Sequence, residues 1–241
     1  MISRGSSTMA YLVHTAYAQL AALWLACVGW TLTAVALGLI QWRVWQVSDR
    51  RFISSGVAWV GIWRVCFNSH TVVSPGFRGM HCRSISLTEA FTPPEIVAAQ
   101  VLMFLSVLAG ICGNAAGVCA MRSVCFGVAK HARSGFVTSG ALCLLAAATS
   151  LVPLLWNLRS VVTNQTIGFP PEFKMPPAPD SQHVGSGISV GMVGGVLMVV
   201  SGIIFCTYRL PVRPRPGTRP PLREQDLTGE DNPAFECQER L

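Results

Sequence analysis

Charge is what this sequence has least of. Of 241 residues, only 12% are Asp, Glu, Lys or Arg, while 51% are hydrophobic; soluble domains carry about 25% charged residues. So few solvated groups cannot cover a globule of this length, which excludes an ordinary soluble enzyme. The net charge of +7 points toward nucleic acid only superficially, because the basic residues form no stripe with interleaved aromatics. No nucleic-acid partner is expected. No Asp, Glu, Lys or Arg lies inside the long apolar runs, and His14 there is read as a helix hydrogen-bonding group, which leaves a transporter without its chemistry. His70 and His81 flank a pair of cysteines, but no acid, Cys or third His is spaced to complete a site. They read as surface residues, and no catalytic residue, cofactor or metal site is expected.

What is present is a spatial pattern. Charge is missing from four windows, residues 10–41, 96–121, 134–158 and 182–208. Each exceeds the roughly 20 apolar residues that span a bilayer's hydrocarbon core. In lipid such segments must be helical, since an unpaired amide there costs several kcal/mol. The first window is too long for a signal peptide's apolar core and lacks a cleavage site followed by polar sequence, so it reads as a retained helix; Met9 is an alternative start. The expected organisation is an N-terminus over 1–9, a tetraspan domain over 10–208, and a disordered tail over 209–241. Helices are expected at about 10–41, 96–121, 134–158 and 184–208, with loops at 42–95 and 159–183.

Four spans place both termini on one side. Ten basic residues fall on that side and eight on the other, which does not decide orientation. The turn at 122–133 and the proximal tail arginines lie close to membrane ends without a nearby acid, which favours cytoplasmic termini. Two features agree. Asn164-Gln165-Thr166 is a glycosylation acceptor in the second loop. Cys66 and Cys82 are the cysteines of the two loops, and paired thiols belong in an oxidising compartment. Bridged, they close a short loop worth about 3 kcal/mol; the alternative is two unrelated thiols. The loop at 42–95 is too long for a turn and too apolar for a tether. Residues around Val57, Trp59 and Val65 point to strands, giving a small antiparallel sheet on the outer end of the bundle.

Trp42, then Gly61-Ile62-Trp63, then Cys66 and Cys82 resemble the claudin signature: a Trp after the first helix, Gly-Leu-Trp, two residues and Cys, and a second Cys. Gly29-Trp30 and Gln41-Trp42-Arg43 resemble the end of a claudin first helix. The resemblance covers about residues 10 to 208. Three departures mark a divergent member. Ile62 replaces Leu, fifteen residues separate Cys66 from Cys82 where about eight to ten are usual, and Gln100 stands where the second helix usually starts with an arginine. Calcium-channel gamma subunits and the peripheral-myelin-protein group share this fold.

The resemblance implies a membrane α+β fold, a four-helix bundle topped by an antiparallel extracellular sheet. It also implies a structural protein of tight junctions in the plasma membrane, joined to other claudins in cis and in trans. The second function class is an auxiliary, gamma-like channel subunit. In claudins the residue after the second Cys helps set charge selectivity; here it is Arg83. A fixed cation in a narrow path repels cations, so a barrier or pore disfavouring cations is expected. The segment Phe169-Pro170-Pro171-Glu172-Phe173 resembles the turn claudins use for trans contact, with Phe169 and Pro170 offered to a partner. A glycan on Asn164 would crowd that contact.

Gly187, Gly191 and Gly195 recur every four residues on the last helix. They let helices approach closely, first within the bundle and second in lateral association. Cys125 and Cys206 are juxtamembrane palmitoylation candidates. The proline- and arginine-rich start of the tail is expected to be extended and drawn to anionic lipid. Asn232-Pro233-Ala234-Phe235 resembles an adaptor-type turn, and the carboxylate of Leu241 is a candidate for PDZ capture.

Overall fold

The computed structural model of the chain describes residues 3–48, 53, 55–69, 79–125 and 129–207. Four long helices run through it: α1 (Ser3–Gly38), α2 (Pro94–Cys125), α3 (Ala129–Val162) and α4 (Ser186–Thr207). All four are long and apolar enough to cross a membrane. Between α1 and α2 come β1 (Arg43–Gln46), β2 (Val57–Val60), β3 (Arg64–Ser69) and β4 (Gly79–Ser84). Between α3 and α4 lie a short 3-10 turn, η1 (Pro171–Phe173), and β5 (Ser181–Val184). The five strands form one antiparallel sheet in the order β4-β3-β2-β1-β5. The α1–α2 and α3–α4 connections leave the same end of the bundle, so β5 can join β1.

The charge-free windows mark where the lipid lies, and the helices overrun them. α2 reaches Arg122 and α3 takes in Arg133 and Arg159, because a charge at a helix end sits in water without breaking the helix. Two ends fall short of the expected bounds. α1 stops at Gly38 rather than 41, and the Trp42 indole N–H turns back to donate to the Ala36 carbonyl at 2.9 Å, satisfying an end carbonyl. α4 starts at Ser186 rather than 184, because residues 181–184 are spent on β5. The sheet expected from the first loop therefore takes its fifth strand from the second.

Inside the bundle, several buried polar side chains bond across helices. Ser106 donates to the Ala146 carbonyl at 2.6 Å and Ser139 to that of Gly113 at 2.7 Å. Ser201 donates to Ala22 at 2.7 Å, and the Trp30 indole to Val107 at 3.0 Å. The small residues of α4 face inward. A Cβ on Gly194 would lie 2.8 Å from the Gly29 carbonyl oxygen, one on Gly191 2.8 Å from Leu154, and one on Gly187 2.5 Å from Trp42. The glycine repeat is thus consumed in packing α4 on α1, α3 and the end of the sheet. Gly194→Leu is expected to overpack this seam, at a cost of about 1–3 kcal/mol or more. Thermal unfolding of the detergent-purified protein should show a lower midpoint, whereas Gly168→Ala, where a Cβ meets nothing within 4 Å, should leave it unmoved.

Candidate functional site

The largest buried cluster lies where the sheet meets the bundle and includes Trp42, Trp45, Ile62, Phe67 and Met103. At its centre is Arg43, 1% exposed. Alternation along β1 turns Arg43 and Trp45 inward while Gln46 stays in water. The Arg43 Nη2 donates to Glu95 Oε1 at 3.0 Å and to Asn157 Oδ1 at 2.9 Å. Ser160 donates to the same carboxylate oxygen at 2.8 Å, and the Asn157 amide to the Glu95 carbonyl at 2.8 Å. One buried ion pair therefore ties β1 to the start of α2 and the end of α3. Burial pulls the Arg43 pKa down, and the hydrogen bond and charge of Glu95 oppose it. Gln100, the residue standing in for an arginine, is also buried. Its amide donates to the carbonyls of Ile62 at 2.6 Å and Ile85 at 3.2 Å, clamping α2 to the sheet without a charge.

The Gly-Ile-Trp motif divides its work. Gly61 packs on the chain just past α1, Ile62 is buried, and Trp63 is 36% exposed. Cys66 and Cys82 are paired residues of β3 and β4 and are bridged. Arg83, next on β4, does not project freely. Its Nη1 donates to the Glu172 carbonyl at 2.6 Å, its Nη2 lies 3.6 Å from the Glu172 carboxylate, and its Cζ sits 4.8 Å from the centre of the Phe173 ring. The arginine staples the first loop to the second, with its side chain 43% exposed.

Phe169 is the main departure from expectation. The ring expected to reach a partner is buried, in edge contact with Trp45 at 5.4 Å and beside Phe173 at 5.5 Å and Phe91 at 5.8 Å. Burying a phenyl side chain is worth about 1.5–3 kcal/mol, and the sheet offers the apolar bed. The residues left outside are Pro171, Glu172 and Lys174, with Pro170 half-buried. Beside them a groove of about 380 Å³ is lined by Val47, Ile53, Pro171, Lys174, Met175, Pro176 and Pro177. Asn164 is exposed in a left-handed turn (φ 53°) just past α3. Ser48 donates to the Asp180 carboxylate through its hydroxyl at 2.7 Å and through its backbone N–H, and these two bonds hold the Asp180 carboxyl below its ordinary pKa.

Cys206 is exposed near the end of α4. The side chain of Cys125 and all of Leu241, His70 and the 232–235 motif lie outside the described residues. His81 packs its ring on Phe67 at 5.5 Å. Among the described residues no three His, Cys, Asp or Glu side chains gather to hold a metal. The Arg43–Glu95 pair escaped sequence reasoning; its available signal was that each charge abuts an apolar window directly.

Four apolar helices carrying a disulfide-pinned sheet at one end define a tetraspan membrane protein of claudin-like architecture. The family described as PMP-22/EMP/MP20/Claudin tight junction matches residues 27–207, and the chain belongs to it. It is similar to claudin-3 of Canis lupus familiaris, 29% identical over 191 residues, which are 78% of this chain and 81% of that protein. Claudin-4 of Homo sapiens is 23% identical over 201 residues, 82% and 89% of the two chains. Claudin-17 of Sus scrofa is 24% identical over 194 residues, 79% and 80%.

Breaking the buried pair from one side should be costly. Glu95→Ala strands the Arg43 cation, and a loss of about 3–5 kcal/mol is expected, read as failure to accumulate or a sharply lower melting midpoint. Arg43→Met with Glu95→Met removes both charges and should recover much of that loss.

Proposed function

We propose that the protein is a structural component of tight junctions that builds adhesive, barrier-forming strands with other claudins, its sheet end outside the cell and both termini in the cytoplasm. Family membership supports the junction role, and the observation that carries the selectivity reading is the placement of Arg83. It lies beside the disulfide on the edge strand β4, half-exposed and braced on Glu172 and Phe173. A cation fixed in this way disfavours cations in a narrow aqueous path, where screening over about 8 Å is incomplete. In trans, the contact falls to the proline-rich tip and its groove, since Phe169 is occupied as the tip's root. Leu241 would engage a PDZ scaffold, the tail arginines anionic lipid, and Cys125 and Cys206 would carry palmitoyl chains.

Expression in junction-free fibroblasts tests the first part; freeze-fracture should reveal strands at cell contacts, and their absence with or without a second claudin would overturn it. In monolayers, Arg83→Asp should raise the sodium-to-chloride permeability ratio, and Glu172→Gln, which releases Arg83 from its partner, should lower it. Unchanged ratios in both variants would end the charge-selective reading. Glycosidase digestion should shift the wild-type band on a gel and leave Asn164→Gln unmoved; a wild-type band that does not shift counts against use of this acceptor.

A further inference from the structure

The arginines at the sheet end are used differently. Arg43 is buried on Glu95 and Arg83 leans on Glu172. Arg64, exposed at the start of β3, has no acidic partner among the described residues. Its place is set by Gly61. A Cβ there would lie 2.9 Å from the Ile40 Cα and 3.2 Å from the Arg64 carbonyl oxygen, so only glycine lets the β2–β3 turn rest on the backbone just past α1. The Gly61 amide closes that turn by donating to the Arg64 carbonyl at 2.9 Å.

The result is a niche of about 240 Å³ lined by Gly38, Leu39, Ile40, Trp63 and Arg64. Gly38 is the last residue of the apolar span of α1, so the niche sits at the depth where hydrocarbon gives way to headgroups. A Cβ on Gly38 would meet nothing within 4 Å, which leaves the helix end open. Tryptophan is enriched at this depth, where an apolar ring with a polar N–H suits both phases. An uncompensated guanidinium at the same depth matches a phosphodiester, which it can bind through two donors. The negative pole of α1 ends at Gly38 and, with the Trp63 ring, favours a cationic group.

We propose that this niche binds the headgroup of a phosphatidylcholine-type lipid from the leaflet on the sheet side. Arg64 holds the phosphodiester, Trp63 and the end of α1 hold the ammonium, and Leu39 and Ile40 bed the first methylenes. The bound lipid fixes how deep the sheet sits against the membrane. The site does not depend on the proposed junction role.

The full chain, purified in detergent micelles, is titrated with phosphatidylcholine, with diacylglycerol or with inorganic phosphate. Native mass spectrometry reads the adducts and thermal unfolding reads the stabilisation. Phosphatidylcholine is expected to bind and raise the melting midpoint. Arg64→Gln should weaken it roughly tenfold, while Arg159→Gln, an exposed arginine at the top of α3 outside the niche, should not. Gly38→Leu, which fills the niche from an open position, should also lose the lipid and stands in if Arg64→Gln does not fold. Equal binding by wild type and both niche variants would overturn the proposal. So would an equal loss in Arg159→Gln, which reports general attraction, or equal binding of diacylglycerol. Stabilisation by inorganic phosphate alone would reduce the site to an ion site and overturn it too.

Discussion

A buried guanidinium holds the two halves of this molecule together. Moving the Arg43 cation out of water is expensive, and the cost is offset only if its hydrogen bonds are met. Glu95 at the start of α2 and Asn157 near the end of α3 both accept from Nη2, and Ser160 braces the carboxylate, while Nε and Nη1 stay buried without a partner, so the pair fixes position more than it adds stability. β1 is flanked by β2 and β5, so its position governs the sheet. A slip of one residue along β1 would turn Arg43 and Trp45 outward and strand Glu95 in the core. Register is therefore specified by charge as well as by apolar burial. The side-chain hydrogen bonds of Trp42, Gln100 and Gln182 add fixed points around it.

That anchorage gives the second loop its form. Ile167, Phe169, Phe173 and Met175 are all buried, and the rings of Phe91, Phe169 and Phe173 meet one another at 5.1–5.8 Å. Between these roots the η1 turn lifts Pro171, Glu172 and Lys174 into solvent. Proline fixes φ on either side, so the tip has little conformational entropy to lose on contact. A loop that looks like a flexible, proline-rich connection is a short rigid projection standing on an aromatic base.

The sequence made some of this plain and hid the rest, for physical reasons. Lipid excludes charge over each entire span, so the four helices show in composition alone. The cysteines and the Gly-Ile-Trp motif are local marks, and the disulfide and strands β2 and β3 follow them closely. Nothing local to Arg43 names its partners. Its partners lie 52 and 114 residues away, and read singly it is a loop charge like any other. β5 was hidden likewise: Ser-Gln-His-Val has little strand character of its own and exists because β1 offers it an edge. Phe169 misled because an aromatic beside prolines in a loop reads the same whether the ring turns out or in, and only the presence of Trp45 beneath it decides.

The same nonlocal pairing reshapes the charge of the sheet end. Its loops hold eight basic and five acidic residues, and each internal pair removes one of both kinds. The surplus of three stays, but its location changes. Arg43 and Glu95 vanish from the surface field because they are buried, and Arg83 is partly compensated because Glu172 lies on it. What remains among the described residues is Arg64, Arg159 and Lys174 against Glu89 and Asp180. Arg64 and Arg159 sit low, near the ends of the helices, while Lys174 stands at the tip. On β4, Arg83 is therefore partly compensated by Glu172 rather than standing as a lone cation. With the Glu172 side chain 71% exposed against 43% for Arg83, the acid is the more hydrated and the more screened member of the couple. The arginine, desolvated on one face by Phe173 and anchored on β4 next to Cys82, is the less hydrated member and lies on the disulfide side of the couple.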